Sequence, residues 1–197
     1  MTGPTWLVAT HNPGKLKEIQ ELLGNSVQLI DAQTSGVPAP PETATTFVEN
    51  ALAKARHGAT ISGLPTIADD SGLVVDALGG APGVRSARYA GEAASDAENI
   101  ALLLAALGDR PPSQRGARFV CVVVALSSTD DPSPLIAQGV WQGRIAQQPR
   151  GQSGFGYDPI FEDPQTGLTA AELSPAQKNE RSHRGQALRA LHRQFSP

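Results

Sequence analysis

Apolar residues recur along this chain with two different periods, and each switch of period marks the end of an element. Trp6–Ala9 is a continuous apolar run of strand length. Leu16, Ile19, Leu22 and Leu23 then recur at helical spacing, with Gly24 as a C-terminal stop. Asn12 is placed to cap that helix and Pro13 to fill its first position. The stretch 33–45, rich in Pro, Thr and Ser, reads as a loop. Thr46 and Glu49 have capping-box spacing and open a helix to about Ile61, with Phe47, Ala51, Leu52 and Ala55 on one face. Pro65–Ala68 and Leu73–Leu78 read as short strands on either side of a turn at Asp69-Asp70. Ser95–Glu98 is a second capping box, starting a helix through Ala106 that stops at Gly108.

Asp109–Arg115 reads as a polar linker. Ala117–Leu126 is β-branched and almost wholly apolar, as expected of a central strand covered on both faces. After a turn at Asp130–Pro134, Leu135–Ile145 reads as one or two further strands, a hairpin partner to the first. Ser174-Pro175 starts a short helix, and Ser182 caps a last one with Ala187, Leu188 and Leu191 as apolar positions. The pattern contains no internal repeat and no clean domain boundary, so residues 1–197 read as a single domain.

Composition narrows this picture without assigning a role. A chain of 197 residues suffices for one substantial domain or two small lobes around a cleft. With 40% hydrophobic and 18% charged residues it reads as a soluble globular protein. No apolar run approaches the roughly 20 residues of a membrane span, and the first residues lack the pattern of a secretory signal. The single cysteine, Cys121, lies in an apolar run and reads as a buried small side chain, which fits a reducing cytoplasm. A net charge of −3 argues against a long nucleic-acid partner but not against a small phosphorylated ligand.

The chemistry is concentrated in Ile67–Gly91, where Asp69 and Asp70 precede Ser71-Gly72 and two arginines, Arg85 and Arg88, follow a Gly/Pro-rich turn. Carboxylates at a strand end suit a divalent cation, and guanidinium groups suit the anion it would hold. Lys15 stands in the first turn of its helix, and His183 and Arg184 in the first turn of theirs. Cations there oppose the helix dipole, so a bound phosphate would account for both placements. Alone, Lys15 reads equally as a surface lysine, and His183 and Arg184 read as solvated surface charge, the usual case. At least one of Arg85 and Arg88 reads as bracing the Gly79–Gly83 turn. The Gln152–Asp158 loop is glycine-punctuated and carries Phe155 and Tyr157, two of only five Phe and two Tyr in the chain. Such a loop can approach a flat base closely and stack on it.

Five segments in one order carry a resemblance: THNPGK at 10–15, TFVENALAKA at 46–55, IADDSGLVVDALGGAPGVRSARYAG at 67–91, GFGYDPIF at 154–161 and AELSPAQKNERSHRGQAL at 171–188. Together they resemble the Ham1/inosine triphosphate pyrophosphatase family over about residues 6–191. The resemblance implies an α/β fold with an elongated mixed sheet flanked by helices, two lobes around a central cleft, and a homodimer. It implies Mg²⁺-dependent hydrolysis of ITP, dITP and XTP to the monophosphate and pyrophosphate; the composition adds the expectation of a cytoplasmic protein without nucleic-acid or membrane partners. By the same resemblance Thr10, His11, Asn12, Pro13, Gly14 and Lys15 would bind the triphosphate. Asp70 would be a catalytic carboxylate and metal ligand, with Ser71 touching substrate. Phe155, Gly156, Tyr157, Asp158, Lys178, His183 and Arg184 would hold the base and sugar-phosphate. Many relatives have paired acids where this chain has Pro41-Glu42, so Glu42 and Glu49 are both candidates for the second metal ligand.

The mechanism expected from these residues is in-line attack of a water on the α-phosphorus, oriented or deprotonated by Asp69 or Asp70. Neighbours on an extended chain point to opposite faces, so one aspartate faces the metal and the other stands behind it. A pyrophosphatase of the related Maf type and a non-catalytic nucleotide-binding regulator are the alternatives.

Overall fold

The computed structural model describes residues 5–23 and 27–195, so Gly24, the predicted helix stop, lies outside the described residues. Six strands form one mixed sheet in the order β2-β1-β3-β4-β5-β6. They are β1 (Thr5–Val8), β2 (Gln28–Asp31), β3 (Thr66–Val75), β4 (Gly116–Leu126), β5 (Leu135–Ile145) and β6 (Phe161–Glu162). The helices are α1 (Pro13–Leu23), α2 (Phe47–Ser62), α3 (Asp96–Leu107), α4 (Pro175–Arg181) and α5 (His183–Phe195). β1 pairs in parallel with β2 and β3, with Leu7 opposite both Ile30 and Thr66. β6 runs antiparallel to β5, with Ile145 opposite Phe161.

The chain divides into two compact units that interleave in sequence. Unit 1 comprises residues 1–70, 121–139 and 184–197, and unit 2 residues 71–120 and 140–183. Unit 1 buries Trp6, Val8, Ile19, Leu23, Ile67, Cys121 and Val123 with Leu188 and Leu191 of α5. On another cluster Ala51 and Ala55 of α2 meet Ala68, Val122 and Val124. Gly58 explains how close α2 comes to the sheet: a Cβ there would sit 2.9 Å from both Leu7 Cδ2 and Thr66 Cγ2. A glycine inside a helix costs about 1 kcal/mol relative to alanine, and here it permits the contact that seats α2. Unit 2 has its own core, in which Leu73, Val75, Leu103, Leu107, Phe119, Trp141 and Phe161 are buried together.

Several predicted ends are met by the predicted chemistry. Asn12 Oδ1 accepts from Gly14 N at 2.9 Å and Lys15 N at 3.2 Å. Ser95 and Glu98 form a complete capping box, as do Ser174 and Gln177. The structure departs from the sequence pattern at several places, one being the strand expected over Leu73–Leu78, which ends at Val75 and gives way to a 3-10 turn at Asp76–Leu78. There is no turn at Asp69-Asp70: β3 runs unbroken from Thr66 to Val75. The aspartates broke the apolar pattern, but each is held in the strand by a lysine, so the strand need not end. The polar linker before β4 ends in a buried residue, since Arg115 is only 2% exposed and donates to the carbonyls of Ile145, Gly108 and Ala146. The edge strands β2 and β6 have four and two residues, too few to show a period.

Candidate active site

Asp69 and Asp70 are adjacent on β3 and have different environments, because successive side chains of a strand point to opposite faces. Asp69 is 2% exposed. Its Oδ2 lies 2.9 Å from Lys15 Nζ and 3.5 Å from Arg184 Nε. Arg184, also buried, forms a second ion pair with Glu18 of α1. Burial works to raise the Asp69 pKa, but Lys15, Arg184 and Lys54 outweigh it and hold the carboxyl well below the usual range. The same carboxylate, with burial opposing it, pushes the Arg184 pKa up.

This arrangement answers the anomaly of cations at two helix starts. Lys15 and Arg184 oppose the dipoles of α1 and α5, and the protein's own Asp69 and Glu18 balance them. The first N–H groups of α1 are likewise occupied. Asn12 caps Gly14 and Lys15, and Asn12 N donates to Thr10 Oγ1 at 3.3 Å. His11 is tethered to the Val37 carbonyl at 2.9 Å. What the Thr10–Lys15 turn can offer a ligand therefore includes side-chain hydrogen, from the Thr10 hydroxyl and the remaining N–H groups of Lys15.

Asp70 belongs to a second cluster. Its Oδ1 lies 2.9 Å from Lys54 Nζ and its Oδ2 accepts from Asn50 Nδ2 at 3.2 Å. Asn50 and Lys54 are one helical turn apart on α2 and so share a face. Lys54 also pairs with Glu42, and Asn50 Oδ1 accepts from Ala44 N at 3.1 Å, which fastens the loop carrying Glu42 to the helix. Burial pushes the Asp70 pKa up, against the pull of Lys54. Lys54 is itself shifted up, because Asp70, Asp69 and Glu42 outweigh the opposing effect of its burial. Sequence reasoning missed Lys54 and Asn50. Their i, i+4 spacing within TFVENALAKA was the available signal, but nothing along the chain marks which face of that helix meets Asp70.

The donor set can be tested against a divalent cation. Among the described residues no group of three or more His, Cys, Asp and Glu converges. Asp70 and Glu42, however, both reach the single ammonium of Lys54. Mg²⁺ commonly takes one or two carboxylates and completes its shell with phosphates and water, so two hard oxygen donors converging on one point charge fit it. Glu49 is placed differently: its carboxylate accepts the Thr46 hydroxyl at 2.5 Å and serves the cap of α2.

Unit 2 carries the aromatic loop. Asp158 is buried, and its Oδ2 accepts from Phe155 N at 2.9 Å and from Lys178 Nζ at 2.8 Å. Lys178 Nζ also stands 5.0 Å from the centroid of the Phe155 ring. Gly156 N donates to Asp96 Oδ2 at 2.6 Å. Tyr157 is turned into the core, and its hydroxyl donates to the Ser86 carbonyl at 2.9 Å. Burial raises its pKa strongly. His183 stacks on Phe119, with centroids 4.7 Å apart and planes 13° apart. Ser71 follows the aspartates on β3 and is half-buried. Arg88 and Arg85 both reach Glu92, at 3.5 and 3.8 Å. Cys121 is buried in unit 1, and burial followed by the nearby Asp69 pushes its thiol up to about 12, so it is an inert core residue.

A mixed α/β fold with a buried lysine-carboxylate centre on a sheet strand and a glycine-rich aromatic loop defines a class of proteins suited to small anionic ligands. The sequence model of the Ham1 family matches residues 6–194, and the chain belongs to that family. It is 56% identical over 186 residues to the dITP/XTP pyrophosphatase of Halorhodospira halophila, an alignment covering 94% of each chain. The Vibrio cholerae dITP/XTP pyrophosphatase is 53% identical over 186 residues, 94% of this chain and 93% of that one. Among solved structures, a HAM1 protein from Coxiella burnetii is similar with a TM-score of 0.92 and 50% identity, covering 98% of this chain and 99% of its own. The Staphylococcus aureus Ham1 protein follows with a TM-score of 0.86 and 38% identity over 97% of each chain. Among the described residues no helix is long and apolar enough to cross a membrane.

Proposed function

We propose that this chain is a nucleoside triphosphate pyrophosphatase acting on the 6-oxo purine nucleotides dITP, ITP and XTP. Relatives bearing the dITP/XTP pyrophosphatase name are 53–56% identical over nearly the whole chain. The observation that carries the chemistry is the split between two adjacent aspartates, one locked between cations and one kept basic by burial. A general base is most useful when its pKa lies nearer the working pH than an ordinary carboxylate's. Burial moves Asp70 in that direction, and the cations around Asp69 move it the other way.

In this reading a water attacks the α-phosphorus, Asp70 accepts its proton, and the α–β anhydride bond breaks with its electron pair leaving on pyrophosphate. Lys54 stabilises the Asp70 carboxylate and can donate to a phosphate oxygen. Lys15 and the Thr10 hydroxyl donate to the triphosphate. His11, Asn12, Pro13 and Gly14 shape the turn that presents them. Asp70 and Glu42 would hold Mg²⁺, which neutralises charge on the phosphates during transfer. Ser71 contacts substrate from the strand that carries Asp70. Preorganised cations in a buried site are worth more than the same charges in water.

The roles of two residues change from those the family resemblance implied. Arg184 is paired with Asp69 and Glu18, which supports a positioning role in place of base contact. Tyr157 supports the base loop from below through Ser86, leaving Phe155 as the ring to stack. Lys178, steered by Asp158, offers an N–H donor of the kind a 6-oxo group accepts and a 6-amino group does not. His183 stands one residue before Arg184, its ring fixed by Phe119, and completes the base side. A site that leaves the wrong base's polar groups unpaired discriminates strongly.

The match of one family model across both units supports reading the chain as one Ham1-like domain. The relatives and the single buried thiol support a cytoplasmic enzyme, and we take its working form to be a homodimer. The test is a panel: dITP, XTP, dGTP, dATP and dTTP are each incubated with protein and Mg²⁺, and pyrophosphate and orthophosphate are measured. Pyrophosphate from dITP and XTP alone supports the reading. Pyrophosphate from dTTP would favour a Maf-like enzyme, and orthophosphate alone or no product would overturn the proposal.

A further inference from the structure

Away from the residues assigned above, a cavity of about 340 Å³ opens in unit 2 at the C-terminal end of β5. Its polar lining is Arg115, Arg144, Gln147, Gln148, Arg150 and Glu162. Arg115 is the unusual member. It is 2% exposed, and its guanidinium donates only to neutral carbonyls: Nε to Ile145 at 2.8 Å, Nη1 to Gly108 at 3.0 Å and Nη2 to Ala146 at 3.1 Å. A guanidinium has five N–H groups, so one N–H on each terminal nitrogen has no part in these bonds. Burial and then the charge of Arg110 lower its pKa, as expected of a cation lacking a nearby counter-charge.

Glu162 is the one acid in the lining, and its oxygens are divided. Oε1 takes Arg144 Nε at 2.6 Å, and Oε2 takes Arg150 Nη2 at 2.9 Å. Arg150 also donates to Gly167 O at 3.0 Å and to Glu172 at 3.3 Å. Both arginine side chains still show over two fifths of their surface to solvent. Three guanidinium groups therefore face a cavity holding one carboxylate.

We propose that this cavity is an anion site for a small phosphate-bearing molecule, held by the N–H groups of Arg115, Arg144 and Arg150 that the bonds above leave over, with Gln147 and Gln148 at its mouth. Three guanidinium groups against Glu162 in the lining and Glu172 beside Arg150 leave an excess of positive charge that an oxyanion matches, and guanidinium N–H groups suit its oxygens. The volume lies at the small end of the range for ligand pockets, roughly 300–1,000 Å³.

The test titrates inorganic phosphate, and separately glycerol phosphate, into the ¹⁵N-labelled full chain in chelator. The amides of Gln147, Gln148 and Arg150 and the Arg115 Nε–H are followed by NMR. Saturable shifts confined to these groups are expected. Gln148→Glu, which adds a like charge at an exposed position, should weaken binding about tenfold and leave pyrophosphate release from dITP unchanged. Lys15→Met, in unit 1, should leave the shifts as they are. Tighter saturation by phosphate identifies a free anion as ligand, and by glycerol phosphate a phosphomonoester. Shifts that do not saturate, that survive Gln148→Glu undiminished, or that vanish in Lys15→Met would overturn the proposal.

Discussion

Lys54 Nζ lies 2.9 Å from Asp70 Oδ1 and also pairs with Glu42, so one ammonium joins the two carboxylates proposed to hold Mg²⁺. Burial raises the Asp70 pKa, and Lys54 pulls against that rise. In Lys54→Met the Asp70 pKa should rise further, and the acid limb of the pH–rate profile for pyrophosphate release should move to higher pH. Turnover at its plateau should fall about 10²–10³-fold with the loss of a buried cation beside the phosphates. A fall in rate with an unmoved acid limb would separate Lys54 from the ionisation of Asp70.

Asp69 gives a stability prediction of opposite character. Its folded pKa lies below the unfolded value of about 3.9, so near pH 4 the unfolded chain binds the proton first. The stabilisation is complete at neutral pH and is lost as pH falls through and below that value. Asp69→Asn leaves Lys15 and Arg184 without their shared carboxylate and should cost about 3–5 kcal/mol at pH 7. It should also flatten the acid side of the stability curve, measured by urea unfolding between pH 3 and 7.

Much of this architecture could be read from the sequence, and the boundary of what could not is physical. Caps were legible because the chemistry of a helix end is local: Asn12, Ser95 and Ser174 sit where their spacing predicts. The opposed environments of Asp69 and Asp70 followed from the two-residue period of a strand. Lys54 and Glu18 were not legible, since each acquires its role from a carboxylate or guanidinium distant in sequence. Arg115 was misplaced for the same reason. A polar residue becomes a buried one only when three carbonyls, two of them about 30 residues away, converge on it. The sequence shows cations at two helix starts, but it could not say that protein carboxylates pair with them.

Gly154 tests the base loop. Its φ is +82°, and a Cβ there would fall on the Asp158 carboxylate. Gly154→Ala should displace Asp158 from both Phe155 N and Lys178, raising the KM for dITP roughly tenfold while kcat changes less. Equal kinetics in this variant would remove the loop from substrate recognition.

Asp70 is the residue proposed to carry out pyrophosphate-releasing hydrolysis, and comparing wild type with Asp70→Asn on dITP and Mg²⁺ measures this directly. Wild type should release one pyrophosphate for each dIMP, with no orthophosphate. Asp70→Asn should lose at least about 10³-fold in rate while still unfolding in one cooperative thermal transition. An active Asp70→Asn variant, or orthophosphate as the wild-type product, would contradict the account.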